Sequence, residues 1–375
     1  MKPGISEDGR IKVFVHLPYG QDAVEWKKNY DNGLLAGLND PSPYGYARAE
    51  TMGCTVRFSR GAPENIVSKA VRGSLRLLLG FDIVHALRNR RQILEADVVW
   101  THTETQHLAI AAALYFRKRA DRPKVIGQSV WLLDNWSRLT PLHRALFRAL
   151  IAQVDVLTFH SPLNTDEAKS HFPGHPVELV LYGIPNEGAL PVKPKGMEPV
   201  RILSIGNDRH RDWETLVAAF GSRPGVALTI ASRSADRKHA QIHDNIRIVH
   251  VTKNEELRSL FDACSVVVVP LKQNKHASGI TVIQEAAVMG VATVATDVGG
   301  LRAYFEDNAV LYVPPSDPAR LSEAVLALAR DPERAARLAS IAQARMTSGG
   351  LGCDAYIARH VELSRELLGL TAKEN

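Results

Sequence analysis

The segment "CSVVVVPLKQNKHASGITVIQEAAVMGVATVATDVGG" (264–300) decides the fold of the second half of the chain. Its start, "CSVVVVPL" (264–271), predicts a buried strand, because four consecutive valines suit a strand covered on both faces. "SGITVIQEAAVMG" (278–290) predicts a helix bounded by glycines, and "VATVAT" (291–296) predicts the next strand. A helix between two buried strands is the βαβ unit of a parallel sheet.

The same alternation of strands and helices runs through the whole chain, which predicts an α/β fold with two Rossmann-like domains facing each other across a cleft. We expect an N-terminal domain over 1–185, a proline-rich linker over 186–199 and a C-terminal domain over 200–354. The last helix, 355–375, is expected to pack back on the first domain. In such sheets ligands bind at the carboxyl ends of the strands, here in the cleft.

Composition narrows the class of protein. The 375 residues are 45% hydrophobic and 23% charged, as in soluble globular proteins. Three widely spaced cysteines form neither a disulfide framework nor a zinc site, so we expect a reducing, cytoplasmic location. The first ten residues have no signal-peptide pattern, and no run reaches the roughly 20 apolar residues of a membrane span.

The net charge of +6 is concentrated in the first half of the chain. Residues 57–91 contain eight Lys or Arg against two acidic residues, and residues 117–124 contain five against one. A basic face suits phosphorylated substrates, anionic lipid or nucleic acid. No nucleic-acid-binding motif accompanies these clusters, so nucleic acid is not expected as a partner.

The basic stretch "IVSKAVRGSLRLLLGF" (66–81) predicts an amphipathic helix. One helical face carries apolar positions and another carries basic ones: Val67, Val71, Leu75 and Leu78 against Lys69, Arg72 and Arg76. Two interpretations stay open. The helix lies on an anionic membrane surface, which makes the protein peripheral on the inner face of the plasma membrane, or it packs its apolar stripe inward.

A helix start beside a strand end directs backbone N–H groups and a positive dipole end at a ligand. Ser278, Gly279, Ile280 and Thr281 therefore suit a diphosphate, since small residues let it approach the backbone. Glu285, under two turns further on, could accept hydrogen bonds from a ribose diol. A tight turn with an exposed glutamate explains the same residues equally well.

In this segment a proline ends the strand, a glycine opens the helix, and "EA", Gly290 and "VATVATDVGG" follow. This order resembles the donor-binding segment of GT-B glycosyltransferases, in particular family 4 of retaining enzymes. "LYVPPSDPARLSEAVLALARDPERAARL" (311–338) is also similar to that family's C-terminal region. The resemblance covers the C-terminal half and implies a hexosyltransferase. Such an enzyme moves a sugar from a nucleotide-diphosphate sugar to a glycan or lipid-linked acceptor in polysaccharide or glycoconjugate biosynthesis.

Two positions depart from the family pattern. The first of the family's two glutamates, which touches the donor sugar, falls on Ala277, and His276 is the nearest polar replacement. The family's histidine at the end of an N-terminal strand falls on Ser129 or Val130. The first departure leaves the identity of the sugar open.

The loop "SIGNDRHRDWETL" (204–216) stands where the family has an Arg- and Lys-bearing loop that clamps the leaving diphosphate. The resemblance assigns this role to Arg209 and Arg211, with Gly206 and Asn207 beside them; guanidinium groups bind phosphate oxygens bidentately. The chain has no Asp-x-Asp pair of the kind that holds a metal in GT-A enzymes. We therefore expect no metal requirement and no cofactor.

The first domain offers weaker candidates, each near a predicted strand end. Gly20 follows the first strand, where the family has a glycine loop, and His102 and Glu104 follow a later one. Asp134, between two tryptophans, could bind an acceptor hydroxyl or act as a base. Three alternatives stay open: an inverting GT-B enzyme with Asp134 as general base, a non-catalytic sugar-nucleotide-binding module, and a nucleotide-sugar epimerase.

Overall fold

Two six-stranded parallel sheets form the framework of the protein, as the computed structural model describes it for residues 9–192 and 198–370. Their strand orders are β2-β1-β3-β4-β5-β6 and β12-β11-β10-β7-β8-β9, numbered along the chain. If the strands of the second sheet are renumbered 1 to 6 along the chain and the sheet is read from β9, the order is 3-2-1-4-5-6. This is the strand order of dinucleotide-binding folds. The predicted α/β class with two Rossmann-like sheets is confirmed.

The first unit contains described residues from 9–28, 41–180 and 354–370. Its strands are β1 (Ile11–His16), β2 (Cys54–Phe58), β3 (Val98–Thr101), β4 (Lys124–Ser129), β5 (Val156–Phe159) and β6 (Val177–Leu179). Its helices are α1 (Ala23–Asp31, whose last turn belongs to the second unit), α2 (Ile66–Leu79), α3 (Ile83–Arg88), α4 (Arg90–Glu95), α5 (Glu104–Leu114), α6 (Pro141–Ile151), α7 (Pro162–His171) and α14 (Cys353–Leu368).

The second unit contains described residues from 29–40, 181–192 and 198–353. Its strands are β7 (Val200–Ile205), β8 (Val226–Ala231), β9 (Ile246–Val249), β10 (Val266–Val269), β11 (Thr293–Thr296) and β12 (Leu311–Val313). Its helices are α8 (Trp213–Phe220), α9 (Lys238–Ile242), α10 (Asn254–Ala263), α11 (Ile280–Val288), α12 (Pro318–Arg330) and α13 (Pro332–Thr347).

The unit boundaries differ from the sequence-based division at residues 29–40, 181–185 and 354. Residues 29–40, placed by sequence in the first domain, pack with the second unit. A backbone hydrogen bond from Asn254 N–H to Gly33 O, 3.0 Å long, anchors this segment, and Leu38 packs against the core around α11. Residues 193–197 of the predicted linker and 371–375 of the predicted last helix lie outside the described residues.

Local structure departs from the sequence-based expectation in the first unit. The stretch "PYGQDAVEW" (18–26) predicts a loop after β1, but it leads into helix α1, and no sequence pattern predicts α7. The stretch "HLAIAAALYFRKRA" (107–120) predicts a helix, but α5 starts earlier, at Glu104, and ends at Leu114. A 3₁₀ helix, Arg119–Asp121, follows, so the second basic cluster is not part of an α-helix.

Helix α2 exposes its apolar face. Val67 is 70% exposed, Val71 51% and Leu78 68%, whereas Arg72 is the buried residue of the helix. Arg72 pairs with Glu64 at 2.9 Å and Asp82 at 2.8 Å. The interpretation in which the apolar stripe packs inward is therefore wrong. Arg72 does not join the basic face, because its buried guanidinium pairs with carboxylates on either side of the helix in the chain.

Three buried apolar clusters fill the two units. One lies in the first unit around β3, β4 and α5, and two lie on either side of the second sheet. The four valines of β10 are all buried, as a strand covered on both faces requires. Within the described part of the chain, no helix combines the length and apolar character needed to cross a membrane.

Candidate donor-binding site

The loop between β10 and α11 has an unusual backbone. Gly279, immediately before the helix, has φ +83°, and Ala277 has φ +54°, a conformation that costs free energy for a residue with a Cβ. Two bonds hold this shape: Ala277 N–H donates to Gly299 O at 3.0 Å and Ser278 N–H to Asn274 Oδ1 at 3.2 Å. These hydrogen bonds hold Ala277 in a backbone conformation that alanine does not favour.

The loop between β7 and α8 lies directly against it. Asp212 N–H donates to Pro270 O at 3.0 Å and Lys272 N–H donates to His210 O at 2.8 Å. Arg211 and Leu271 form an isolated antiparallel bridge between the two loops. Because these bonds are between backbones, the two predicted phosphate-binding segments are held together at the carboxyl ends of neighbouring strands.

Arg211 extends into the core of this junction. Its side chain is buried, and among the described residues its Nε and Nη1 have no hydrogen-bond partner. A Cβ on Gly206 would overlap the guanidinium, and one on Gly279 would lie 2.6 Å from Nη1. Burial lowers the pKa of Arg211 to about 10, although the carboxylates of Asp208 and Glu285 oppose that shift. The guanidinium thus stays charged at neutral pH with unused donors.

Asp208, which the sequence reasoning did not single out, joins the same junction. Its Oδ2 accepts a hydrogen bond from Ser278 Oγ at 2.7 Å and lies 3.2 Å from His276 Nε2. Its Oδ1 lies 3.1 Å from His210 Nδ1. The ligand atoms of these three residues, Asp208, His210 and His276, all lie within 4.8 Å of one another, so among the described residues they form a set that could hold a metal ion.

Glu285 is buried in α11, not exposed as in the alternative interpretation from sequence. Its Oε1 accepts a hydrogen bond from Leu38 N–H at 3.1 Å. A Cβ on Gly37 would lie 2.7 Å from the same oxygen. Burial raises the pKa of Glu285 to about 7, against the Leu38 hydrogen bond and the charge of Arg211.

The other predicted donor-site residues differ in how far their side chains are exposed to solvent. Arg209 is exposed on the β7–α8 loop, in contrast to Arg211. Asn207 Oδ1 accepts from Arg233 N–H at 2.7 Å and so shapes the neighbouring loop. Ile280 is buried and Thr281 is exposed in the first turn of α11.

The other predicted site residues belong to the first unit. His102 stacks on Tyr44 with ring centroids 3.5 Å apart, and its Nδ1 lies 3.1 Å from Tyr46 Oη. Burial lowers the pKa of His102 well below its usual value. The hydroxyl of Tyr46 also lies 2.9 Å from that of Tyr356 in α14. His102 is therefore part of a network between the sheet and the last helix.

Glu104, Asp134 and Gly20 stand at the ends of strands, as predicted. Glu104 Oε2 accepts from the N–H groups of Val130 and Trp131 at 3.1 and 3.2 Å, so it shapes the loop after β4. Asp134 is half-buried in the turns of that loop. Gly20, φ +88°, lies in the turn after β1.

Comparison with known proteins finds a matching family model, a related sequence and similar folds. Residues 201–331, which include both loops and α11, match the family model "Glycosyl transferases group 1". The fold is that of GT-B glycosyltransferases, and most of the second unit is similar to the group 1 family of these enzymes. Over 289 residues it is 24% identical to the GDP-mannose-dependent monoacylated alpha-(1-6)-phosphatidylinositol monomannoside mannosyltransferase of Corynebacterium glutamicum, covering 70% of this chain and 74% of the relative.

Solved structures share the fold of this chain over nearly its full length. Sucrose-phosphate synthase from Thermosynechococcus elongatus is similar with a TM-score of 0.71 at 17% identity, covering 96% of this chain and all of that one. Anabaena HepE, solved with UDP and glucose, is similar with a TM-score of 0.66 at 12% identity, covering 95% of this chain and all of HepE.

Sequence reasoning missed two parts of the site for different reasons. Asp208 lies within the quoted loop "SIGNDRHRDWETL", two residues after Gly206, so its position was itself a signal. Leu38 contributes only its backbone N–H, and it lies 247 positions from Glu285. Nothing in the residue type at position 38 could have predicted that contact.

Proposed function

We propose that this glycosyltransferase uses a nucleotide-diphosphate sugar and binds its diphosphate at Arg211 and the start of α11. The observation that carries the proposal is the buried guanidinium whose Nε and Nη1 have no partner among the described residues. A buried cation with unused donors is costly unless an anion completes it. Gly206 and Gly279 leave room for the guanidinium, and the N–H groups of a helix start add donors for phosphate oxygens.

The other residues have complementary roles in this proposal. Glu285 accepts hydrogen bonds from the ribose diol, Ser278 to Thr281 contact the diphosphate, and His276 faces the donor sugar. Arg209, exposed at the rim, adds charge that attracts the donor. Cations directed at the charge that develops on the leaving diphosphate stabilise the transition state, so the transfer proceeds without added metal.

The transfer is retaining in this proposal. The leaving phosphate takes the proton of the acceptor hydroxyl while the new glycosidic bond forms on the face that the phosphate leaves, so no strong protein base is required. The inverting alternative assigns the base to Asp134. It predicts that Asp134→Asn abolishes turnover with donor binding intact, and NMR of the product's anomeric proton distinguishes the two stereochemical outcomes.

The acceptor is lipid-linked in this proposal, and α2 holds the protein on an anionic membrane surface. In addition to Val67, Val71 and Leu78, Ile66 is 88% and Leu77 87% exposed. Lys69 and Arg76 flank this apolar face and are exposed. An apolar face bordered by cations is typical of interfacial helices. The Corynebacterium relative is itself named for a phosphatidylinositol-based acceptor.

Thermal-shift measurements with a panel of UDP-, GDP-, ADP- and dTDP-sugars, with and without EDTA, test the proposal. We expect one nucleotide to raise the Tm equally in both conditions. Arg211→Met should remove this shift, whereas Asp244→Asn, an exposed substitution in the same unit, should retain it. If no nucleotide sugar shifts the Tm of the unmodified protein, the donor assignment is wrong.

A further inference from the structure

The carboxylate of Asp208 is surrounded by four donors. Oδ1 accepts from His210 N–H at 3.0 Å and lies 3.1 Å from His210 Nδ1. Oδ2 accepts from Ser278 Oγ at 2.7 Å and lies 3.2 Å from His276 Nε2. Burial alone would raise the pKa of Asp208, but the bonds from His276, His210 and Ser278 outweigh it and hold that pKa well below its usual value. The group is therefore an ionised acceptor.

The two loops do not need Asp208 to stay together. Backbone bonds from Asp212 to Pro270 and from Lys272 to His210 already join them. What the side chain adds is a constraint on His276, which is buried. An ionised carboxylate has no proton to give, so the imidazole nitrogen facing it must carry the proton. In the neutral ring this leaves Nδ1 as the acceptor.

We infer that Asp208 is a positioning residue that keeps the proton of His276 on Nε2 and so makes Nδ1 accept a hydrogen bond from a hydroxyl of the donor sugar. The inference rests on the proposed function, in which His276 faces that sugar. Asp208 acts through His276 and does not itself touch the donor. The chain lacks a carboxylate at Ala277, between His276 and Ser278, and Asp208 reaches both of these neighbours from the other loop.

The same three side chains could instead chelate a divalent ion, since the contacts of Asp208 with His210 and His276 are 3.1 and 3.2 Å and zinc ligands stand about 3.3 Å apart. Charge argues against this. The buried guanidinium of Arg211 interacts electrostatically with Asp208, and a dication beside it would be repelled. The four hydrogen bonds already use the acceptor capacity of the carboxylate. The network is thus preferred to the metal site.

The test compares Asp208→Asn with the unmodified protein and with the exposed control Asp244→Asn. An amide can donate as well as accept, so the variant releases the constraint on His276 with almost no change of shape. We expect kcat to fall roughly 10- to 100-fold, the scale of a misplaced active-site group. The Kd of the free nucleotide diphosphate should stay within about threefold, because Arg211 and Glu285 are unchanged.

NMR of the ¹⁵N-labelled imidazoles gives a direct readout, with His276 assigned by its absence in His276→Gln. The unmodified protein should show the proton on Nε2, and Asp208→Asn a mixture of tautomers. The proton on Nδ1 in the unmodified protein would overturn the inference, even if the variant fails to fold. Undiminished kcat in Asp208→Asn would also overturn it, as would Zn²⁺ binding that His276→Gln abolishes. If the unmodified protein binds no nucleotide, the proposed function is wrong. The NMR measurement then still shows whether Asp208 keeps the proton of His276 on Nε2.

Discussion

The backbone N–H of Leu38 donates a hydrogen bond to Oε1 of Glu285 over 3.1 Å, although the two residues lie 247 positions apart. Gly37 allows this approach, since a Cβ there would lie 2.7 Å from the same oxygen. The carboxylate proposed to hold the ribose is thus covered by residues from the first forty of the chain. The proposed ribose contact and the packing of residues 29–40 therefore involve the same carboxylate.

Glu285→Ala should weaken nucleotide binding by roughly 1–3 kcal/mol, the contribution of a hydrogen bond to a charged group. Isothermal titration calorimetry with the best nucleotide from the thermal-shift panel measures this change. Glu323→Ala, at an exposed glutamate of α12, is the matched control and should leave the affinity unaltered. An unchanged affinity in Glu285→Ala would remove the ribose assignment.

Glu285 should also make the fold less stable as pH rises. Its folded-state pKa is raised to about 7, so the folded protein holds a proton that the unfolded chain has already lost above its ordinary pKa of 4.5. The free energy of unfolding therefore falls as pH rises through this range. Relative to Glu285→Gln, the unmodified protein should lose about 1–3 kcal/mol between pH 5 and pH 8. Urea denaturation at the two pH values checks this, and parallel curves for the two proteins would contradict it.

Gly279→Ala should destabilise the fold and weaken nucleotide binding together. Its φ of +83° strains any residue with a Cβ, and that Cβ would lie 2.6 Å from both Arg211 Nη1 and Val269 Cγ1. We expect a loss of about 2–4 kcal/mol in the free energy of unfolding. Gly225→Ala has a similar φ, +72°, in open space and should lose only about 1 kcal/mol with donor affinity retained. Equal losses in the two variants would show that the contact with Arg211 is unimportant.

The α2 proposal predicts a selective loss of membrane binding. Ile66→Glu combined with Leu77→Glu places charges on the exposed apolar face and should reduce binding to anionic vesicles at least about 10-fold, since each buried side chain contributes roughly 1.5–3 kcal/mol. Co-sedimentation with phosphatidylglycerol-containing vesicles measures this, and the Tm and nucleotide affinity should not change. Ile242→Glu, at another exposed isoleucine, serves as control. Equal vesicle binding by the double variant and the control would reject α2 as the membrane surface.

Much of the fold could be predicted from sequence because it depends on local patterns. The valines of β10, the glycines that bound α11 and the proline-rich stretch after residue 185 each determine a nearby structure, and together they identified two parallel sheets. Local reasoning also identified Glu285 as a candidate, whereas Arg211 was assigned by the resemblance to a family loop. It failed where the pattern was ambiguous, as in the loop after β1 that contains α1.

Tertiary structure decided the environment of each candidate. From sequence, Arg209 and Arg211 are equivalent, yet one is exposed and the other is buried between two glycines. From sequence, α2 has two possible orientations, and Arg72 fixes one by pairing with Glu64 and Asp82 beneath the helix. Hydrophobic periodicity shows which side chains share a face, but which face is buried depends on charges and backbone groups supplied by other segments. That is why the hydrogen bond from Leu38 to Glu285 and the contacts of Asp208 with His276 and Ser278 were visible only in the folded chain.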